Sequence, residues 1–168
     1  MTDTHSHFWP LYCVLLLLLL NSLVSGEAES SPDNGLGSQY HWLGWKSLDV
    51  STEKPLMVII HKPHCPACKS LKSWFSQSED ILRLSRRFSM VNFESGKEDA
   101  PKLEIDGRYV PRIYFLDSQG KVLEQVVNQA GNPNYKFFYY DETSVVQSME
   151  AALKEIGESS NEPPEKEL

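Results

Sequence analysis

Apolar residues fall along this chain in two rhythms, short unbroken runs and stripes spaced three and four apart. Leu56-Met57-Val58-Ile59-Ile60 is an unbroken run of strand length, the pattern of a strand covered on both faces. Phe88-Ser89-Met90-Val91-Asn92-Phe93 reads as a second strand. Between them Leu71, Trp74 and Phe75 share one helical face, with Lys69, Lys72 and Ser73 elsewhere on the helix. Ser78-Glu79-Asp80 reads as a fresh helix start ahead of Ile81, Leu82 and Leu84. A strand, helix and strand in succession predict a crossover unit with parallel pairing.

Further along, Arg112-Ile113-Tyr114-Phe115-Leu116 and Lys121-Val122-Leu123-Glu124-Gln125-Val126 predict an antiparallel hairpin across Asp117-Ser118-Gln119-Gly120. The stripe Val145, Val146, Met149, Leu153 and Ile156 predicts a closing helix, with Gly157 placed to end it. Residues 39–156 are therefore expected to form one α/β domain, a mixed sheet with helices on both faces.

The ends follow a different logic. Residues 11–20 are apolar throughout, too short a run for a membrane span of about 20 residues. With Val24-Ser25-Gly26 as the cleavage site and polar Glu27-Ala28-Glu29-Ser30 beyond it, residues 1–26 read as a removable signal peptide rather than a membrane anchor. Residues 27–38 and 157–168 are rich in Ser, Gly, Pro and Glu, and both are expected to be flexible. The chain ends Glu165-Lys166-Glu167-Leu168, which resembles the Lys-Asp-Glu-Leu retrieval address. That ending implies an endoplasmic reticulum retrieval receptor as a partner and lumenal residence, with secretion as the alternative. The formal charge of −7 and the lack of a basic patch argue against nucleic acid as a partner.

Cysteine usage changes the picture most. Cys13 lies in the signal peptide, so the mature chain keeps Cys65-Pro66-Ala67-Cys68 and no other thiol. Secreted-pathway proteins ordinarily use cysteines as structural bridges, and a single pair three positions apart points instead to chemistry. A cysteine at a helix N-cap meets unpaired N–H groups and the positive end of the helix dipole, both of which favour a thiolate. Cys65 has that place, Pro66 suits the first helical position, and Cys68 lies one turn in. Cys65 is thus the expected nucleophile and Cys68 the resolving thiol, with His64 as a candidate source of positive charge beside Cys65. A zinc site built from His61, His64, Cys65 and Cys68 is the competing chemical reading, although adjacent His64 and Cys65 are badly placed to face one ion.

The order of elements, Val110-Pro111 directly before the hairpin strand, Pro66 between the cysteines and Lys69 after them resemble a thioredoxin-fold protein of the protein disulfide isomerase superfamily. Gly35-Leu36-Gly37, His41-Trp42, Pro55 to Lys62, Gly131-Asn132-Pro133 and Tyr135-Lys136 resemble the small lumenal members grouped with the anterior gradient proteins. The anterior gradient branch typically has Ser at the second cysteine position, so Cys68 resembles the redox-competent branch. The resemblance implies a single thioredoxin fold and a cis bond at Pro111 packed against the cysteines. It also implies backbone pairing between Val110 and a substrate.

The implied activity is thiol–disulfide oxidoreduction on cysteine-containing clients of the secretory pathway, with no cofactor or metal and glutathione as a candidate redox partner. The family's buried acid on the strand before the motif is missing, because Ile59 stands at its position, and Glu94 is a candidate substitute. The alternative function is non-catalytic client binding, for which Tyr135, Phe137, Phe138, Tyr139 and Tyr140 offer a surface unless they pack inside.

Overall fold

The computed structural model describes residues 32–49, 51–97 and 100–159. Its sheet is built from β1 (Trp42–Leu43), β2 (Leu56–His61), β3 (Ser89–Glu94) and β4 (Arg112–Leu116) in the order β1-β3-β2-β4. β3 runs parallel to both of its neighbours, and β4 closes the other side antiparallel to β2. The α-helices are α1 (Pro66–Phe75), α2 (Glu79–Ser85) and α3 (Glu142–Ser159). β2 is central and buried along its whole length, which is why its sequence shows no polar alternation.

Alternation along β2 assigns the two faces of the sheet. Met57 and Ile59 face one core, with Leu71 and Phe75 of α1, Ile81 and Leu84 of α2, and Val145 and Met149 of α3. Leu56, Val58 and Ile60 face the other, where Leu48, Leu103 and Phe137 meet them. The mixed, helix-flanked sheet matches the expectation, but its cover is uneven. All three described α-helices lie on the first face. The second is closed by 3-10 helices at Trp45–Asp49 and Pro101–Leu103 and by the chain around Phe137. Each 3-10 segment fully buries a single apolar side chain, Leu48 or Leu103, too little for an amphipathic α-helix.

Two expectations need correction. Residues 121–126 form no strand: only Val122 bridges to Leu116, and an Val126 N–H to Leu123 carbonyl bond of 3.0 Å turns the chain. Leu123 and Val126 both enter the helix-side core, a spacing of three that a strand cannot satisfy. Gly157 does not end α3, which runs on to Ser159. The described part of the stretch 27–38, from residue 32, packs onto the domain.

Leu36 is 0% exposed, Asn34 Nδ2 donates to Asn92 Oδ1 at 2.7 Å, and Trp42 Nε1 donates to the Gly37 carbonyl at 2.8 Å. Asn34 and Gly35 take φ of 50° and 80°, left-handed values that let the chain turn tightly enough to bury Leu36. Turn-rich composition concealed a strap. Residues 1–31 and 160–168, which include the apolar run, Cys13 and the Glu165–Leu168 ending, lie outside the described residues. No helix among the described residues is long and apolar enough to cross a membrane.

Candidate active site

Cys65 is the N-cap of α1. Its φ and ψ of −77° and 121° are extended, and its carbonyl accepts the first helical bond from Lys69 N–H at 3.0 Å. Pro66 occupies the first turn, where a missing N–H removes no intrahelical bond. Cys65 Sγ accepts the Cys68 N–H at 3.2 Å, the bond a Ser or Asp cap would make, and faces the Val110 carbonyl at 3.6 Å. Cys65 is half-buried and Cys68 is 0% exposed, and both are thiols.

Cys68 Sγ accepts the Lys62 N–H at 3.4 Å. Burial, followed by its hydrogen bond with Cys65, pushes the Cys68 thiol up to about 12, against a smaller opposing pull from Lys72 one turn along the helix. The pair is asymmetric by construction. One sulfur meets solvent at a helix start and the other is enclosed and held as a thiol.

The Val110–Pro111 peptide is cis, and Pro111 is buried. The loop that presents it is fastened from below. Arg112 is buried and donates to the Leu103 carbonyl at 2.9 Å and to the Gly107 carbonyl, with its guanidinium 5.8 Å from the Tyr109 ring centre. Tyr109 Oη donates to Asp106 Oδ2 at 2.6 Å and accepts Phe137 N–H at 3.0 Å, while the same Asp106 oxygen accepts Lys136 N–H at 2.8 Å. Burial and the Asp106 carboxylate push the Tyr109 phenol well above its ordinary value, so it stays a donor. This network was not visible in the sequence.

The remaining candidates divide. His64 is exposed. Glu94 pairs with Lys97 at 2.6 Å, and that hydrogen bond holds its carboxyl below the usual range, which makes it a weaker base. His61 turns inward, 1% exposed, and meets Asn92. Among the described residues no three His, Cys, Asp or Glu side chains gather as metal ligands. Of the aromatic run, Phe137 and Tyr139 are buried and Phe138 is half-buried, leaving Tyr135 at 48% and Tyr140 at 54% exposed.

The family profile described as thioredoxin-like matches residues 50–118. Anterior gradient protein 3 of Xenopus tropicalis is 34% identical over 157 residues, which cover 87% of this chain and 95% of that one. The chain belongs to the anterior gradient family of thioredoxin-like proteins. Within that family, anterior gradient protein 3 of Mus musculus is 30% identical over 154 residues, 86% of this chain and 93% of the mouse protein.

The match to the anterior gradient protein 2 homolog of Homo sapiens is 33% over 104 residues and spans 59% of that protein's length, less than two thirds. A solved structure described as a disulphide isomerase from Xylella fastidiosa Temecula1 covers 95% of this chain and 96% of that one at 12% identity and a TM-score of 0.33, too loose a likeness to argue from. The anterior gradient chain described here keeps a thiol at both positions of its motif.

Sequence reasoning missed the polar group beneath the motif, formed by His61, Asn92 and Asn34. Its signal was present: an Asn inside an apolar strand and a His two residues beyond a buried Ile are polar groups on a face otherwise given to the core.

Proposed function

We propose that this protein is a thiol–disulfide oxidoreductase acting on client proteins of the secretory pathway. The observation that carries the reading is a half-buried Cys65 at a helix N-cap, its Sγ facing the carbonyl of a cis Val110–Pro111 peptide, paired with an enclosed Cys68 one turn in. In the reductive direction Cys65 thiolate attacks one sulfur of a client disulfide. That bond breaks, the second client sulfur leaves as thiolate, and a mixed disulfide forms. Cys68 thiolate then attacks Cys65 Sγ, the client's remaining sulfur leaves, and the Cys65–Cys68 disulfide results. The client gains two electrons and two protons, and the protein supplies them.

Val110 has a backbone next to the nucleophile and no bulky polar side chain, which suits pairing with many client sequences. Glutathione is the proposed redox partner that resets the pair. The lumen of the endoplasmic reticulum is the proposed compartment, argued from the apolar leader and the Glu165–Leu168 ending, with secretion as the outcome if that ending is not read. Replacing Cys68 with Ser should accumulate mixed disulfides through Cys65, and replacing Cys65 with Ser should abolish them. Equal trapping by both variants would refute the division of roles.

Exposed Tyr135 and Tyr140 favour a second reading, non-catalytic client binding. A Cys65→Ser, Cys68→Ser double variant that still protects clients from aggregation would support it.

A further inference from the structure

The resolving step has an unmet requirement. Cys68 must lose a proton before it attacks, and burial holds that proton tightly. Ile59 offers nothing, and Glu94 is engaged with Lys97. Of the buried titratable groups that the proposed chemistry leaves unused, His61 is the one whose peptide bond meets Cys68 Sγ.

Its tautomer is fixed by its neighbours. Asn92 Nδ2 donates to the Pro32 carbonyl at 3.1 Å, which turns Asn92 Oδ1 toward Asn34 Nδ2 at 2.7 Å and His61 Nε2 at 3.3 Å. An amide oxygen only accepts, so His61 Nε2 carries the hydrogen and Nδ1 carries the lone pair. That Nδ1 is buried, and no described group hydrogen-bonds it.

His61 follows Ile59 by two on β2 and therefore faces the α1 side of the sheet, as Cys68 does from above. The N–H that Cys68 Sγ accepts at 3.4 Å belongs to the peptide bond joining His61 to Lys62. The thiol thus rests against the peptide bond that follows His61, and because Nδ1 makes no hydrogen bond, transfer to it runs through a single bridging water. With Nε2 committed to Asn92 on β3, Nδ1 is turned away from β3.

We propose that His61 Nδ1 is the proton acceptor for Cys68 in the resolving step. This inference rests on the redox reading of Cys65 and Cys68. The Cys68 S–H bond breaks, its proton goes to Nδ1, and the thiolate forms the Cys65–Cys68 bond as the client thiolate leaves. The imidazolium then returns its proton to that thiolate or to water. The charged and titratable groups around the ring are consistent with a neutral, ready base. Burial lowers the pKa of His61, and Lys72 on α1 adds to that, while Glu94 and Lys97 at the end of β3 oppose one another. The Asn34–Asn92 pair holds the ring from the strap side without adding net charge.

Glutathione disulfide separates the two steps. Reduced protein first forms the Cys65–glutathione adduct with release of one glutathione, and Cys68 then displaces the second. Both steps are followed by acid quench and mass spectrometry. Wild type should resolve the adduct at a rate that is nearly flat from pH 6.5 to 8.5. His61→Asn should slow resolution by about 100-fold near pH 7, the scale of general-base loss, and restore a tenfold rise per pH unit, with adduct formation within about twofold of wild type.

A variant with the wild-type pH profile of resolution would overturn the assignment of His61 and leave the redox reading standing. No adduct in any form would overturn the redox reading itself. Should the variant fold poorly, ring nitrogen shifts of wild-type His61 decide the matter. A neutral Nε2–H tautomer whose titration midpoint moves when Cys68 enters the disulfide is expected, and an Nδ1–H tautomer would refute the proposal.

Discussion

The two faces of the sheet solve the same problem by different means. On the helix side, stripes spaced three and four apart interlock across α1, α2 and α3, and close packing encloses the Phe75 and Met149 side chains. On the other side, isolated anchors such as Leu48 and Leu103 sit in otherwise polar segments. There the chain is fastened by polar groups: Arg112 to the Leu103 and Gly107 carbonyls, and Asp106 and Tyr109 to the backbone of Lys136 and Phe137. The thiols belong to the first face through α1, and the Val110–Pro111 peptide belongs to the loops of the second. The candidate site lies on the seam, with Cys65 Sγ and the Val110 carbonyl 3.6 Å apart. Close packing holds the reactive sulfurs, and directional bonds hold the peptide that a client would meet.

The sharpest way to break that contrast is to damage the packed face alone. Phe75→Ala should cost about 3–5 kcal/mol in urea unfolding, because a fully enclosed ring leaves a cavity between α1 and the sheet. A loss below about 1 kcal/mol would mean that the helix face is not the main source of stability.

Damage to the polar face should instead separate stability from client engagement. Arg112→Leu leaves buried carbonyls without their donor and should cost about 1–3 kcal/mol. Trapping of a protein client on Cys68→Ser should fall about tenfold, a loss of about 1.4 kcal/mol in positioning Val110, while the rate with glutathione disulfide stays within about twofold. If both reactions fall together, Arg112 acts through the fold as a whole and not through the loop.

Legibility in the sequence follows the same division. The Leu56–Ile60 run, the Ser78 cap and the cysteine motif are local patterns, and each is where the sequence puts it: Ser78 Oγ accepts Ile81 N–H at 3.0 Å to begin α2. The second face and the strap depend on single residues, Leu36, Leu48 and Leu103, whose partners are distant in the chain. No periodicity announces a lone anchor. β1 is two residues long, below the length at which alternation can be read. Val122 to Val126 showed β-prone residues, but tertiary packing of Leu123 and Val126 against the helices overrode that preference. His61 and Asn92 are 31 residues apart, so their pairing had no local signature.

A smaller effect tests how deeply the polar group under α1 is enclosed. Burial lowers the pKa of His61 below its ordinary 6.5 in the folded protein. As pH falls from 6.5, the unfolded chain takes up this proton before the folded one does, so stability present above 6.5 is lost toward the folded value. The urea midpoint should therefore fall between pH 6.5 and 5, with a slope of at most about 1.4 kcal/mol per pH unit from this group. His61→Asn should flatten that part of the curve. A slope that persists unchanged would assign it to other groups.

The smallest effect concerns His64, the residue whose place beside the nucleophile is most suggestive in the sequence. Cys65 Sγ already accepts the Cys68 N–H at 3.2 Å, a donor fixed by the helix itself and shielded by the enclosed thiol beneath. His64 is exposed, and water and salt screen whatever charge it carries. Exposed charge interactions are typically worth about 0.2–1 kcal/mol, less than about fivefold in rate. His64→Ala should therefore slow adduct formation with glutathione disulfide by no more than about threefold, with a smaller effect in 0.5 M salt. A loss above tenfold that survives high salt would make this side chain, and not the helix start, the main aid to attack by Cys65. The nucleophile would then owe its reactivity to an exposed turn and not to the packed face.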